Sequence, residues 1–282
     1  MKKIWMMMAA AVIMAGCAKD VSEIETKDGR MVTFMINGDF ASPTFTRALA
    51  ADGQEMTDVW VFDFVDDECV QYLHKQSGDD GFESPSLTLA NGDHHLCFVA
   101  SRGDTPTLAE TSTTITWEKS KDTFWAAYDM TISSASPSTV SITLDRVATK
   151  LKLLITDEVP ANLSKLTVTP TKWYCGLNYY DGTPAGIKAS EPRSVSVPSS
   201  YIGTTGQLTF SIFGMSGVEE WTTDLLLTAT DGDDGEIGRA TIAAAPFLAD
   251  RQTAYSGRLF SKDGGFTLTL NDTWIQDYTG EW

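Results

Sequence analysis

Apolar and polar residues alternate with period two along most of this chain, and that pattern restricts it to sheets. Val140, Ile142 and Leu144 alternate with Ser141, Thr143 and Asp145. Leu151, Leu153 and Ile155 continue after a short break. Leu208, Phe210 and Ile212 alternate with Thr209 and Ser211, and Phe266, Leu268 and Leu270 with Thr267 and Thr269. Each stretch suits a strand with one buried face and one wetted face. Val59-Trp60-Val61-Phe62 is apolar at every position, which predicts a central strand covered on both sides. Asp66-Asp67 then supplies a turn, and residues 69–73 return as its hairpin partner. Leu87-Thr88-Leu89 runs into the turn signal Ala90-Asn91-Gly92-Asp93, and residues 94–100 form the next strand. One segment departs from the pattern. Phe124, Trp125 and Tyr128 form a short apolar stripe, which predicts a helical turn over 122–128. Short strands at intervals of roughly 8–12 residues point to β-sandwiches. The chain has 282 residues, and at roughly 100–200 residues per domain it divides into two. The boundary is predicted near 144–150.

The first twenty residues carry a different signal. Lys2 and Lys3 precede an unbroken apolar run from Ile4 to Met14. That run is shorter than the ~20 residues a membrane span needs, and it fits the apolar core of a signal peptide. Met14-Ala15-Gly16-Cys17 follows. Small residues at 15 and 16 let a signal peptidase reach the backbone, and Cys17 offers a thiol for diacylglycerol. The set resembles the bacterial lipoprotein signal, with Met14 where leucine is usual. Residues 1–16 are therefore read as a signal peptide, 17–30 as a polar tether, and Cys17 as the lipidation site. Cys17-Ala18-Lys19-Asp20 also resembles the pattern that sends some Bacteroidota lipoproteins to the outer cell surface; a plain solvated tether is the alternative. Loss of Lys2 and Lys3 with the leader takes the formal net charge from −17 to −19.

Such acidity excludes a basic footprint for nucleic acid. Cys69, Cys97 and Cys175 are widely spaced and form no zinc pattern. Either one bridge forms among them, with Cys69–Cys97 the first candidate, or all three are small buried residues. His94 and His95 are adjacent, so on a strand they face opposite ways and cannot chelate one ion from one face; they are read as exposed strand residues. Residues 231–236 (Asp-Gly-Asp-Asp-Gly-Glu) resemble a calcium loop superficially. Position 5 is Gly235 and position 6 is Glu236, the reverse of what that loop wants, so a hairpin turn is expected. Gly214-Met215-Ser216-Gly217-Val218 lacks the last glycine of a nucleophile elbow. No phosphate-binding glycine motif occurs. The expectation is a protein that is not an enzyme, with no catalytic residue, cofactor or metal.

Several stretches taken in order resemble the fimbrillin and fimbrial-anchor families of Bacteroidales. Residues 57–63 (Thr-Asp-Val-Trp-Val-Phe-Asp) look like their "vwvFD" strand. Residues 87–96 look like their L-x-L-x-x-G-x-Y-x-L hairpin, with histidine for the aromatic. Residues 144–151 look like the L-x-R-x-x-A-K-V strand that opens the second domain, and residues 250–260 are similar to their N-R-x-T-x-x-x-G-x-L-F strand. Residues 269–274 match a common terminal strand. The resemblance implies two transthyretin-like (Ig-like Greek-key) β-sandwich domains in tandem, at 31–145 and 146–282. It implies a lipid-anchored fimbrial subunit, of the FimB-type anchor class, in the outer membrane at the cell surface, whose partners are other fimbrial subunits. A tip adhesin or glycan-binding surface lipoprotein, with a host glycan or protein as ligand, is the alternative. The families also imply cleavage after a loop arginine, for which Arg47 is the candidate here, and strand exchange between subunits. Residues 31–36 and 266–270 are the expected exchange edges. For the adhesin alternative, Trp173 with Tyr174, Tyr179 or Tyr180 would form an exposed stacking platform.

Overall fold

A computed structural model describes residues 29–38, 56–102, 105–261 and 265–271. The regular structure of those residues is nineteen strands and one turn of 3-10 helix at Ser199–Tyr201. The first nine strands are β1 (Arg30–Gly38), β2 (Asp58–Val65), β3 (Glu68–Gln76), β4 (Ser86–Leu89), β5 (Gly92–Ser101), β6 (Thr107–Leu108), β7 (Thr114–Thr116), β8 (Thr123–Ile132) and β9 (Thr139–Arg146). The others are β10 (Ala148–Ile155), β11 (Lys165–Pro170), β12 (Trp173–Asn178), β13 (Pro184–Lys188), β14 (Arg193–Ser196), β15 (Leu208–Met215), β16 (Trp221–Thr230), β17 (Glu236–Phe247), β18 (Gln252–Gly257) and β19 (Phe266–Asn271).

The chain is all-β, as the alternation predicts. Seven strands run in the order β3-β2-β5-β8-β9-β1-β4. This sheet folds over at β9, whose residues 139–144 run parallel to β1 while Asp145 and Arg146 pair with β8. Val32, Phe34 and Ile36 on one layer thereby meet Val61, Leu96 and Phe98 on the other in one buried cluster. Side chains of this size contribute ~1.5–3 kcal/mol each when removed from water. A second sandwich places β15-β10-β18-β19 against β14-β11-β16-β17, around a core that includes Leu151, Leu153, Trp173, Phe210, Leu227 and Phe247.

A fourth sheet, β13-β12-β7-β6, takes strands from both halves of the chain. Leu177 of β12 pairs with Ile115 of β7. Ile115 and Leu177 pack with Trp60, Phe62, Phe64 and Val99 of the first sandwich in a third buried cluster. This explains why residues 59–62 have no polar member. Val59 and Val61 enter the first core, and Trp60 and Phe62 enter the joining cluster. The central position predicted for that strand holds, as β2 lies between β3 and β5. The hairpin predicted after it also forms, with Asp66 and Asp67 at φ 50° and 63°.

Three expectations are corrected here. Residues 122–128 are not helical: β8 begins at Thr123. Phe124 enters the first core and Trp125 packs on the joining cluster, so an apolar stripe this short was a two-sided strand. Residues 87–96 form no hairpin. The turn carries the chain from one layer to the other, so β4 pairs with β1, and β5 pairs with β2 and β8. Residues 31–36 are not a sheet edge either, because β1 lies between β9 and β4. Its outer pairing is short, however: β4 covers only Arg30–Thr33 of β1.

Candidate functional site

Cys17 and Arg47, the expected lipidation and processing sites, lie outside the described residues, as do the expected signal peptide and most of the expected tether. What the structure positions is the set of open sheet edges and the seam between the sandwiches.

β19 is the exposed edge predicted at 266–270. Among the described residues it pairs with β18 alone, from Gly257↔Phe266 to Gln252↔Asn271. Phe266 leans on the second core, whereas Leu268 is 39% exposed. The stretch that follows β18 is held by Asp157. One carboxylate oxygen accepts the Leu259 amide at 3.1 Å, and the other accepts those of Phe260 at 2.7 Å and Ser261 at 3.0 Å. Gly257 permits the close crossing: a Cβ there would clash with the Gly265 carbonyl oxygen. The glycine and Leu259-Phe260 of the resembling stretch 250–260 thus have physical duties, in a close crossing and in the clamp.

Two of the other edges, β17 and β15, are guarded. β17 carries Pro246, a bulge against β16, and Ala244 at φ 50°, and such features discourage further pairing. On β15, the Trp173 indole N–H donates to the Phe213 carbonyl at 2.9 Å. Gly214 allows that approach, since a Cβ would meet the indole at 2.9 Å.

The seam is built from aromatic rings and donors aimed at backbone. Phe62 and Tyr179 stack with ring centroids 3.9 Å apart. Trp125 Nε1–H donates to the Tyr179 carbonyl at 2.9 Å. The Tyr180 carbonyl faces His95 Nε2 at 3.1 Å and accepts from Cys97 Sγ at 3.3 Å. At the chain crossing, the Arg146 guanidinium donates to Asp122 at 2.8 Å and to Asp250, and lies over the Phe124 ring. That pairing gives the arginine of stretch 144–151 its role.

The seam also corrects three expectations. Trp173 and Tyr179 are buried, so no stacking platform forms around them. Cys97 is a free buried thiol and bonds Tyr180, so Cys69–Cys97 is not a bridge; Cys175 is likewise free and buried. Burial pushes both thiols up, which leaves them poor nucleophiles. His94 is not exposed. It points into the first core, while His95 faces the seam, so the two do face opposite ways.

Residues 231–236 form the β16–β17 turn. Asp231 Oδ1 accepts the amides of Asp233 at 3.1 Å and Gly235 at 2.7 Å, and Asp234 pairs with Lys165 at 2.7 Å, so these two carboxylates serve the turn. Ser216 directly follows β15 and is fully buried, unlike an exposed nucleophile. Among the described residues, no group of three or more His, Cys, Asp or Glu is arranged to hold a metal.

Sequence reading missed the Asp63–His94 pair, whose ring nitrogen and carboxylate oxygen are 2.6 Å apart. The signal was present. Residues 59, 61 and 63 alternate onto one face, so an aspartate at 63 falls at a core position and needs a partner.

No protein-family model matches the chain, and no curated protein sequence matches it. Solved structures do share its fold. A candidate adhesin from Bacteroides ovatus is 12% identical with a TM-score of 0.52, over 76% of this chain and 82% of that one. A candidate adhesin from Bacteroides thetaiotaomicron is 8% identical with a TM-score of 0.51, over 86% and 97%. A candidate polysaccharide-binding protein from the same organism is 9% identical with a TM-score of 0.52, also over 86% and 97%.

Proposed function

We propose that this chain is a lipid-anchored fimbrial subunit of the FimB-type anchor class, which acts by binding rather than turnover. Acylated Cys17 would fasten it to the outer membrane at the cell surface, and other fimbrial subunits would add to its sheets. The observation that carries this reading is the β19 edge. A strand flank that has no partner among the described residues, that bears Leu268 and that follows the stretch clamped by Asp157 is suited to accept a further strand. The fold likeness to candidate adhesins supports the same direction. A glycan-binding or tip-adhesin role for a host glycan or protein is the second reading. It rests on the likeness to the candidate polysaccharide-binding protein and has lost its aromatic platform.

Mass spectrometry of the mature protein from outer membranes tests the proposal. Acylated Cys17 on an intact chain is the anchor outcome. A new start at Ala48 means cleavage after Arg47 and a stalk or tip subunit. A mature start at neither position, or equally firm membrane retention of Cys17→Ser, overturns the lipid anchor.

A further inference from the structure

The two layers of the first sandwich are joined on one side by β8 and β9, while the β3 and β4 edges end the sheet order on the other. A chain of polar contacts crosses near that open side. Gln71 on β3 donates from Nε2 to Asp63 Oδ2 at 2.7 Å and to the Thr88 carbonyl at 3.1 Å. His94 on β5 places Nδ1 2.6 Å from Asp63 Oδ1 and Nε2 2.9 Å from the Ala90 carbonyl. The path therefore starts at the backbone of residue 88, passes through Gln71, Asp63 and His94, and returns to the backbone of residue 90. Both ends hold the C-terminal end of β4, the short strand that covers β1.

Hydrogen counting sets how many protons the pair must hold. Filling both the Asp63 contact and the Ala90 carbonyl contact takes two hydrogens on the His94–Asp63 pair, and a neutral ring beside an ionised carboxylate carries only one. His94 is 4% exposed and Asp63 is 0% exposed, so water cannot replace a lost hydrogen without opening the site. We propose that the His94–Asp63 pair is a pH-sensitive latch that closes the open side of the first sandwich and keeps β4 on β1.

The charged neighbours are mostly carboxylates. Asp63 on β2 is the direct partner and Asp93 precedes His94 on β5. Asp66, Asp67 and Asp129 line the same surface depression, and the other base there, His95, is bonded to Asp129. The Asp63 hydrogen bond outweighs burial and raises the His94 pKa above its ordinary value, with Asp93 adding to it. Stabilisation by a group raised in this way is complete below about 6.5, the unfolded value, and fades as pH rises through the folded value. The latch is closed in acid and loosens in alkali.

Hydrogen exchange by mass spectrometry on the full mature chain, from pH 5.5 to 9.5 and corrected for intrinsic rates, tests this. Protection of peptides covering Arg30–Gly38 and Ser86–Leu89 is expected to fall about tenfold for each unit by which folding raises the pKa, while Ala148–Ile155 in the second sandwich stays protected. His94→Gln keeps one donor and is expected to show low protection of β4 that no longer changes with pH. Constant protection in the unaltered chain, or an unchanged pH response in H94Q, overturns the latch. Direct NMR titration of the His94 ring in the unaltered chain decides the matter even if H94Q fails to fold. A titration midpoint at or below the ordinary value of about 6.5 sinks the proposal, and a midpoint above it sustains it.

Discussion

Phe62 and Tyr179 stack face to face, with centroids 3.9 Å apart and ring planes 9° from parallel. Phe62 stands on β2, and Tyr179 directly follows β12, so one ring pair ties the first sandwich to the sheet that both halves of the chain build. Burial pushes the Tyr179 hydroxyl up to about 12, so the stack is uncharged at neutral pH. Tyr179→Ala is expected to lower stability by about 3–5 kcal/mol, and Tyr179→Phe by much less. Denaturant unfolding followed by tryptophan fluorescence measures both. Equal losses would mean that the hydroxyl, not the stack, holds the seam.

Asp157 accepts three consecutive backbone amides at Leu259, Phe260 and Ser261. Asp157→Ala strips those donors of their acceptor and is expected to cost about 2–3 kcal/mol. The effect should concentrate on β19, seen as faster hydrogen exchange at Phe266–Asn271 than in β10. Uniform loss across the second sandwich would contradict a local clamp.

Asp58 gives the first sandwich an acid limit. Burial pushes its carboxyl up, but hydrogen bonds from His74 at 2.8 Å, Thr57 at 2.6 Å and Gln76 outweigh it and leave the pKa below the ordinary value. A depressed carboxylate contributes stability above its unfolded value of 3.8, and that contribution is lost as pH falls through the folded value. Chemical denaturation between pH 2 and 5 should show this limb, and Asp58→Asn should flatten it. His74, which stacks on Trp60 at 4.4 Å, should report the change through its NMR shifts.

Leu268 separates assembly from folding. Its side chain is 39% exposed on an edge strand, so Leu268→Lys should change stability by no more than about 0.5 kcal/mol. A charge there should nevertheless oppose strand addition. Thermal unfolding and co-purification of surface subunits from intact cells are the paired measurements. Unchanged co-purification would remove β19 as the assembly edge.

Local pattern determined the strands. Alternation at 140–145, 151–155, 208–212 and 266–270 marked one wetted and one buried face, and each segment is a strand in the fold. The unbroken run at 59–62 marked a strand buried twice. These survive because the side-chain period belongs to the backbone and does not depend on what the strand meets. Burial of polar residues and the choice of partner strand did not follow in the same way. His94 reads as exposed until Asp63 and the Ala90 carbonyl are brought to it. Phe124 and Trp125 read as one helical stripe until two different cores claim them. A Cys69–Cys97 bridge stays open as one of two readings until the Tyr180 carbonyl takes the Cys97 thiol. The edges, β19 open among the described residues and β1 enclosed, and the sheet shared by β7 and β12 depend on pairings between residues far apart in sequence. Only the closed tertiary structure sets which of those pairings form, because each strand offers the same backbone donors and acceptors to any neighbour.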